Sequence, residues 1–123
     1  MQRKFRLTHS EDFKRVRRSG KSYAHPLVVL IVQTRDDQST LVDQPHLKIG
    51  VAAGRTVGTA VSRNRAKRLL REATRTLIPQ IVSGFDLILI ARPRLVSATL
   101  EETRQALLTL LQRAQLLIPL NES

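Results

Sequence analysis

The densest chemistry in the chain is the stretch Arg63-Asn64-Arg65-Ala66-Lys67-Arg68-Leu69-Leu70-Arg71, which Arg55 and Arg75 extend on either side. A guanidinium can donate two parallel hydrogen bonds to one phosphate and can stack on a base. The amide of Asn64 can reach a backbone oxygen or a base edge. These are groups for gripping folded RNA or DNA. If about six of them neutralise phosphates, binding weakens with salt at a logarithmic slope of roughly −4 to −5.

Groups able to break a bond are harder to find. His9, His25 and His46 lie 16 and 21 residues apart and match no metal-ligand spacing. Gly54 and Gly58 lack the order of a phosphate-binding loop. The acidic pairs Asp36-Asp37 and Glu101-Glu102 are explained by solvation and by helix capping. With no cysteine, thiolate metal sites, disulfides and cysteine nucleophiles are excluded. No residue is therefore assigned as catalytic or as a metal ligand, and the chemistry must come from elsewhere.

The charge points the same way. The 123 residues carry 21 Lys plus Arg against 10 Asp plus Glu, a formal net charge of +11. Residues 1 to 21 hold eight basic and two acidic side chains, and residues 55 to 75 hold seven and one. The rest of the chain is close to neutral, so the excess sits in two segments, as expected for a partner that is a polyanion. At 41% hydrophobic residues the chain can build a core, and its length fits one RNA-binding domain over residues 1–123. No apolar run approaches the ~18 to 20 residues of a membrane helix, and the N-terminus lacks a signal-peptide core. A soluble, cytoplasmic protein is expected.

Elements must position these cations. Ser10, followed by Glu11 and Asp12 and closed by Gly20, predicts a short helix over residues 10 to 18 with Ser10 as N-cap. Leu27 to Val32 reads as a buried strand, with Leu27, Val29 and Ile31 on one face and Val28, Leu30 and Val32 on the other. Residues 34 to 45 read as a loop, and Leu47 to Ala53 as a second strand. From Ala60 to Leu77 the period becomes helical: Ala66, Leu69, Leu70, Ala73 and Leu77 share one side, Asn64, Lys67, Arg68, Arg71 and Arg75 the other. Phe85 to Ala91 is a further strand. Thr99 and Glu102 form a capping box for a last helix, whose apolar stripe runs from Leu100 to Leu117. Strand, long helix and strand in succession suggest a parallel crossover, with room for one short extra strand.

Val57-Gly58-Thr59-Ala60-Val61-Ser62-Arg63-Asn64-Arg65, followed by Lys67-Arg68 and Arg71, resembles the bacterial ribonuclease P protein component. Glu11-Asp12-Phe13 with Val16, Gly20 and Lys21 is similar to that family's first helix and turn, and Gly84-Phe85-Asp86 to Ala91-Arg92 to its last strand. The resemblance covers residues 7 to 94. It implies an α+β sandwich like domain 2 of ribosomal protein S5, with a mixed sheet of about four strands, three flanking helices and a left-handed βαβ crossover. It implies the small subunit of a ribonucleoprotein that removes the 5′ leader of precursor tRNA. The RNA subunit is the catalyst, Mg²⁺ is held mainly by that RNA, and one protein joins one RNA. Arg55, Arg63, Asn64, Arg65, Lys67, Arg68, Arg71 and Arg75 would contact the catalytic RNA. Phe13, Arg17, Val29 and Ile31 would line a groove for the single-stranded leader. Arg17 and Ile31 stand where many relatives have aromatic residues, so this groove should stack bases less and use guanidinium planes and phosphates more.

Three other readings fit the residues. A general RNA-binding or ribosome-associated module would bind RNA with no part in cleavage. A nucleoid-type DNA binder would hold arbitrary duplex equally well. A nuclease made of peptide alone would cut without any RNA.

Overall fold

A computed structural model describes residues 1, 3–34 and 47–119. The loop expected at residues 34 to 45 therefore lies outside the described residues, apart from Thr34. Within them, helix α1 spans Ser10–Ser19, strand β1 Lys21–Ala24, strand β2 Val28–Thr34 and strand β3 Leu47–Ala52. Helix α2 spans Ala60–Leu77, strand β4 Phe85–Ala91 and helix α3 Leu100–Arg113. The strands form one mixed sheet in the order β1-β2-β4-β3. β2 is antiparallel to both β1 and β4, whereas β3 and β4 run parallel and are joined through α2. The architecture is α+β, with four strands and three helices.

Alternation along the strands sends side chains to two different layers. On one face, Val28, Leu30, Leu47, Ile49, Leu87, Leu89 and Ala91 are buried against α2 and α3, where Leu70, Leu77, Leu107 and Leu110 meet them. On the other, Ile31 and Ile88 are buried with Val16 of α1 and with Leu7. The major core therefore lies under the two longer helices, and α1 with Leu7 covers part of the opposite face.

Four expectations are corrected. The cap position of α1 is His9 rather than Ser10, and it makes no side-chain capping bond. Leu27 precedes β2 and packs on the α3 side, away from Val29 and Ile31. The cause is a local turn: the His25 N–H donates to the Val28 carbonyl at 2.9 Å, and the Leu27 N–H to His25 Nδ1 at 3.1 Å. α3 stops at Arg113, and Leu117 instead pairs with Ile81 in an isolated bridge. Ile31 is only 5% exposed, so α1 roofs it over and it cannot line an open groove. The extra strand is β1, while α2 and β4 have the boundaries that the sequence pattern gives them.

Candidate nucleic-acid interface

α2 begins where Gly58, at φ +133°, turns the chain into Thr59. The Thr59 hydroxyl accepts the Ser62 N–H, and the first turn contains no acidic residue. Ala66, Leu70, Ala73, Thr74 and Leu77 are buried on the sheet side. The cations are left in two bands. Asn64, Arg65, Arg68 and Arg75 are exposed, whereas Arg63, Lys67 and Arg71 are half-buried at successive i+4 positions. Arg55 is exposed on the short turn Arg55–Val57 that leads into the helix.

Arg71, in the half-buried band, has a neighbour that the sequence did not reveal. The N-terminal segment runs beside β3: Arg6 forms a parallel bridge with Ile49, and the Leu7 N–H donates to the Ile49 carbonyl at 2.9 Å. Lys48 Nζ donates to the Lys4 carbonyl at 2.9 Å, further tying the segment down. Arg6 consequently lies close enough to Arg71 that, after burial, its charge is the next cause lowering the Arg71 pKa. The terminal ammonium likewise lies near Glu72. The first cationic cluster is thus divided, with Arg6 joining α2 and Lys14, Arg15, Arg17 and Arg18 staying on α1.

Few of these charges are neutralised. Among the described residues, α2's one ion pair joins Arg75 to Glu72 at 2.6 Å; this bond raises the Arg75 pKa and lowers that of Glu72. Arg65 Nε donates to the Val96 carbonyl at 3.2 Å, leaving the rest of its guanidinium free of any described partner. The Nε atoms of Arg6 and Arg63 are buried without a hydrogen-bond partner. Like charges held together with unused donors are stabilised by an external anion. Val61, 79% exposed on the first turn of α2, adds an apolar contact among the cations. Its position off the buried stripe was its only signal in the sequence.

The second predicted site is partly built. Phe13 lies against β3, and Gly50 makes this possible: a Cβ at that position would come within 2.3 Å of the ring. Phe13 is half-buried, and Val29 and Ile90 are half-buried on neighbouring strands as register partners. Arg17 is exposed one turn beyond Phe13. The helix, Val29 and Ile90 thus frame an open strip of sheet with a cation at its edge. Ile31 is beneath the roof instead.

Comparison with known proteins decides between the readings. A family profile described as ribonuclease P matches residues 1–115. The chain belongs to the ribonuclease P protein family. The ribonuclease P protein component of Herpetosiphon aurantiacus is 42% identical over 116 residues, covering 94% of this chain and 89% of that one. That of Chloroflexus aurantiacus is 35% identical over 125 residues, covering 100% and 87%. Among solved structures, the RNase P protein of Staphylococcus aureus superposes with a TM-score of 0.76 at 25% identity, covering 93% of this chain and 98% of that one. That of Thermotoga maritima gives 0.73 at 28% identity, covering 88% and 96%. As a ribonuclease P protein, the chain is a subunit of an endoribonuclease acting in tRNA 5′ processing, and its partner is the ribonuclease P RNA. No helix among the described residues is long and apolar enough to cross a membrane.

Proposed function

We propose that this chain, acting as one RNA-binding domain in the cytoplasm, seats α2 and the docked N-terminal segment on the ribonuclease P RNA in a one-to-one complex. Arg55, Arg63, Asn64, Arg65, Lys67, Arg68 and Arg71 provide the contacts. Arg75 contributes least, because Glu72 already engages it. The observation that carries this reading is a helix with six cations, one acid and, among the described residues, a single ion pair. Screening phosphate repulsion there favours binding of RNA, substrate and Mg²⁺ in one place. Mg²⁺, held mainly by the RNA, supplies the hydrolytic chemistry.

The strip bounded by Phe13, Arg17 and Val29 takes the single-stranded 5′ leader of precursor tRNA. Ile90 takes the place that the sequence gave to Ile31. Because mature tRNA lacks a leader, contacts here separate substrate from product. Precursor processing at low Mg²⁺, with the cognate RNA and with or without the protein, tests the reading: the protein raises the rate, and an unchanged rate defeats it. Phe13→Ala weakens precursor tRNA by about fivefold to tenfold, within the ~1 to 3 kcal/mol of a base–aromatic stack, and leaves mature tRNA unchanged. Equal loss for both would remove the leader from this strip.

A further inference from the structure

Besides the buried Val16, α1 is fixed to the sheet at three places. Phe13 rests on Gly50 of β3. At the helix end, Gly20 donates its N–H to the Val16 carbonyl at 2.7 Å and abuts Ile31 and Val32 of β2, where an added Cβ would clash. The third place is polar. Arg15 Nη2 donates to Asp86 Oδ2 at 2.6 Å and to Asp12 Oδ1 at 3.4 Å, and Arg15 Nη1 donates to Gln33 Oε1. Gln33 and Asp86 are register partners on β2 and β4, so one guanidinium bridges two adjacent strands. Asp86 is only 2% exposed, which makes this a charge-assisted bond partly sheltered from water.

The bridge lies on the far side of α1 from the leader strip. Around the helix, Arg17 stands about 40° from Phe13 and Arg15 about 200°. Along the strands, the Gln33–Asp86 row is followed by the Ile31–Ile88 row beneath Val16 and then by the open Val29–Ile90 row. α1 lies along the Gly50–Ile88–Ile31 row, and a roll about its axis moves Phe13 and Arg17 toward or away from the neighbouring row that holds Val29 and Ile90. Apolar contacts at Val16 resist separation more than rotation, because they have no direction. The Arg15 hydrogen bonds do have direction.

We infer that Arg15, gripping Asp86 and Gln33, is a positioning residue that sets the roll of α1 and so the width of the leader strip on its other side. The inference rests on the leader reading above. Arg15 touches no substrate in this arrangement; it acts through Phe13 and Arg17. The hydrogen bond to Asp86 also raises the Arg15 pKa.

Two substitutions separate positioning from direct RNA contact. Arg15→Met removes a cation, while Asp86→Asn removes an anion and leaves Arg15 in place. In the assembled holoenzyme, both lower the preference for precursor over mature tRNA by about fivefold to tenfold, as expected when a binding group is misplaced. Both leave affinity for the ribonuclease P RNA within about threefold, which also certifies folding. Arg15→Lys, still able to reach Asp86, restores part of the preference. Retained preference in Asp86→Asn overturns the inference and makes Arg15 an ordinary RNA contact. Should Asp86→Asn not fold, Arg15→Met decides through spin labels at Lys14→Cys and Ser22→Cys, in a chain with no cysteine of its own. The label separation shifts or broadens if α1 rolls, and an unaltered separation overturns the inference. Wild-type protein showing no precursor preference would instead defeat the leader reading, and this inference with it.

Discussion

α2 and α3 pack against one another on the same face of the sheet and share one core, yet their outer surfaces are opposites. α3 is electrically complete within itself. Thr99 and Glu102 form a full capping box, with the Glu102 N–H donating to the Thr99 hydroxyl at 3.0 Å and the Thr99 N–H to Glu102 Oε1 at 2.9 Å. Its acids Glu101 and Glu102 occupy the first turn and Arg113 the last, which is the arrangement the helix dipole favours. α2 has no acid in its first turn and carries six cations and one acid in all. Burial explains why both helices exist; only a partner explains the outer face of α2.

Charge reversal breaks this comparison most severely. Arg68→Glu lowers affinity for the ribonuclease P RNA by roughly 100-fold at low salt, since a phosphate contact becomes a repulsion. Arg104→Glu on α3 changes it by less than about threefold. Filter binding or mobility shift measures both, and equal losses would mean that the two faces do not differ.

Salt sharpens the same contrast. The wild-type logarithmic slope of roughly −4 to −5 becomes shallower by about 1 in Lys67→Ala, while Gln112→Ala on α3 leaves it unaltered. A slope insensitive to Lys67 would remove that residue from the interface.

Smaller effects concern stability alone. Thr99→Ala costs about 1 kcal/mol in a urea melt, as for other lost N-caps. Thr59→Ala costs about half as much, since Thr59 makes one capping bond of 3.3 Å and no reciprocal one. The smallest effect is on pH dependence. The Thr99 N–H holds the Glu102 carboxyl below the usual glutamate range, so its contribution is present above that range and lost as pH falls through the folded-state pKa. Glu102→Gln flattens that part of the stability–pH curve, and an unaltered curve would show that the capping box is not formed in solution.

The parts of the fold that could be read in advance are those with a strong period. Ala66, Leu70, Ala73 and Leu77 repeat at helical spacing over 18 residues, and α2 has the limits so predicted. Leu87 to Ala91 is an unbroken aliphatic run that follows Gly84, Phe85 and Asp86 and ends before Arg92, and β4 takes it in over Phe85–Ala91. β1 has four residues and one half-buried side chain, too little pattern to specify a strand without β2 beside it. Ile31 illustrates the limit differently. Alternation places it on the face shared with Val29, but which part of that face α1 covers depends on where Phe13, Arg15 and Gly20 meet the sheet.

Residue order by itself determined that this chain is a basic protein with a cationic helix. Charge and periodicity are local properties, and any fold that buries Leu70 and Leu77 must turn the arginines outward. Tertiary structure decided what was non-local. It laid Arg6 alongside β3, within reach of the charge of Arg71, and it closed Ile31 under α1. It also joined Arg15 to an aspartate 71 positions away. Such pairings depend on sheet register and on the docking of a helix against it, and no window of sequence contains either.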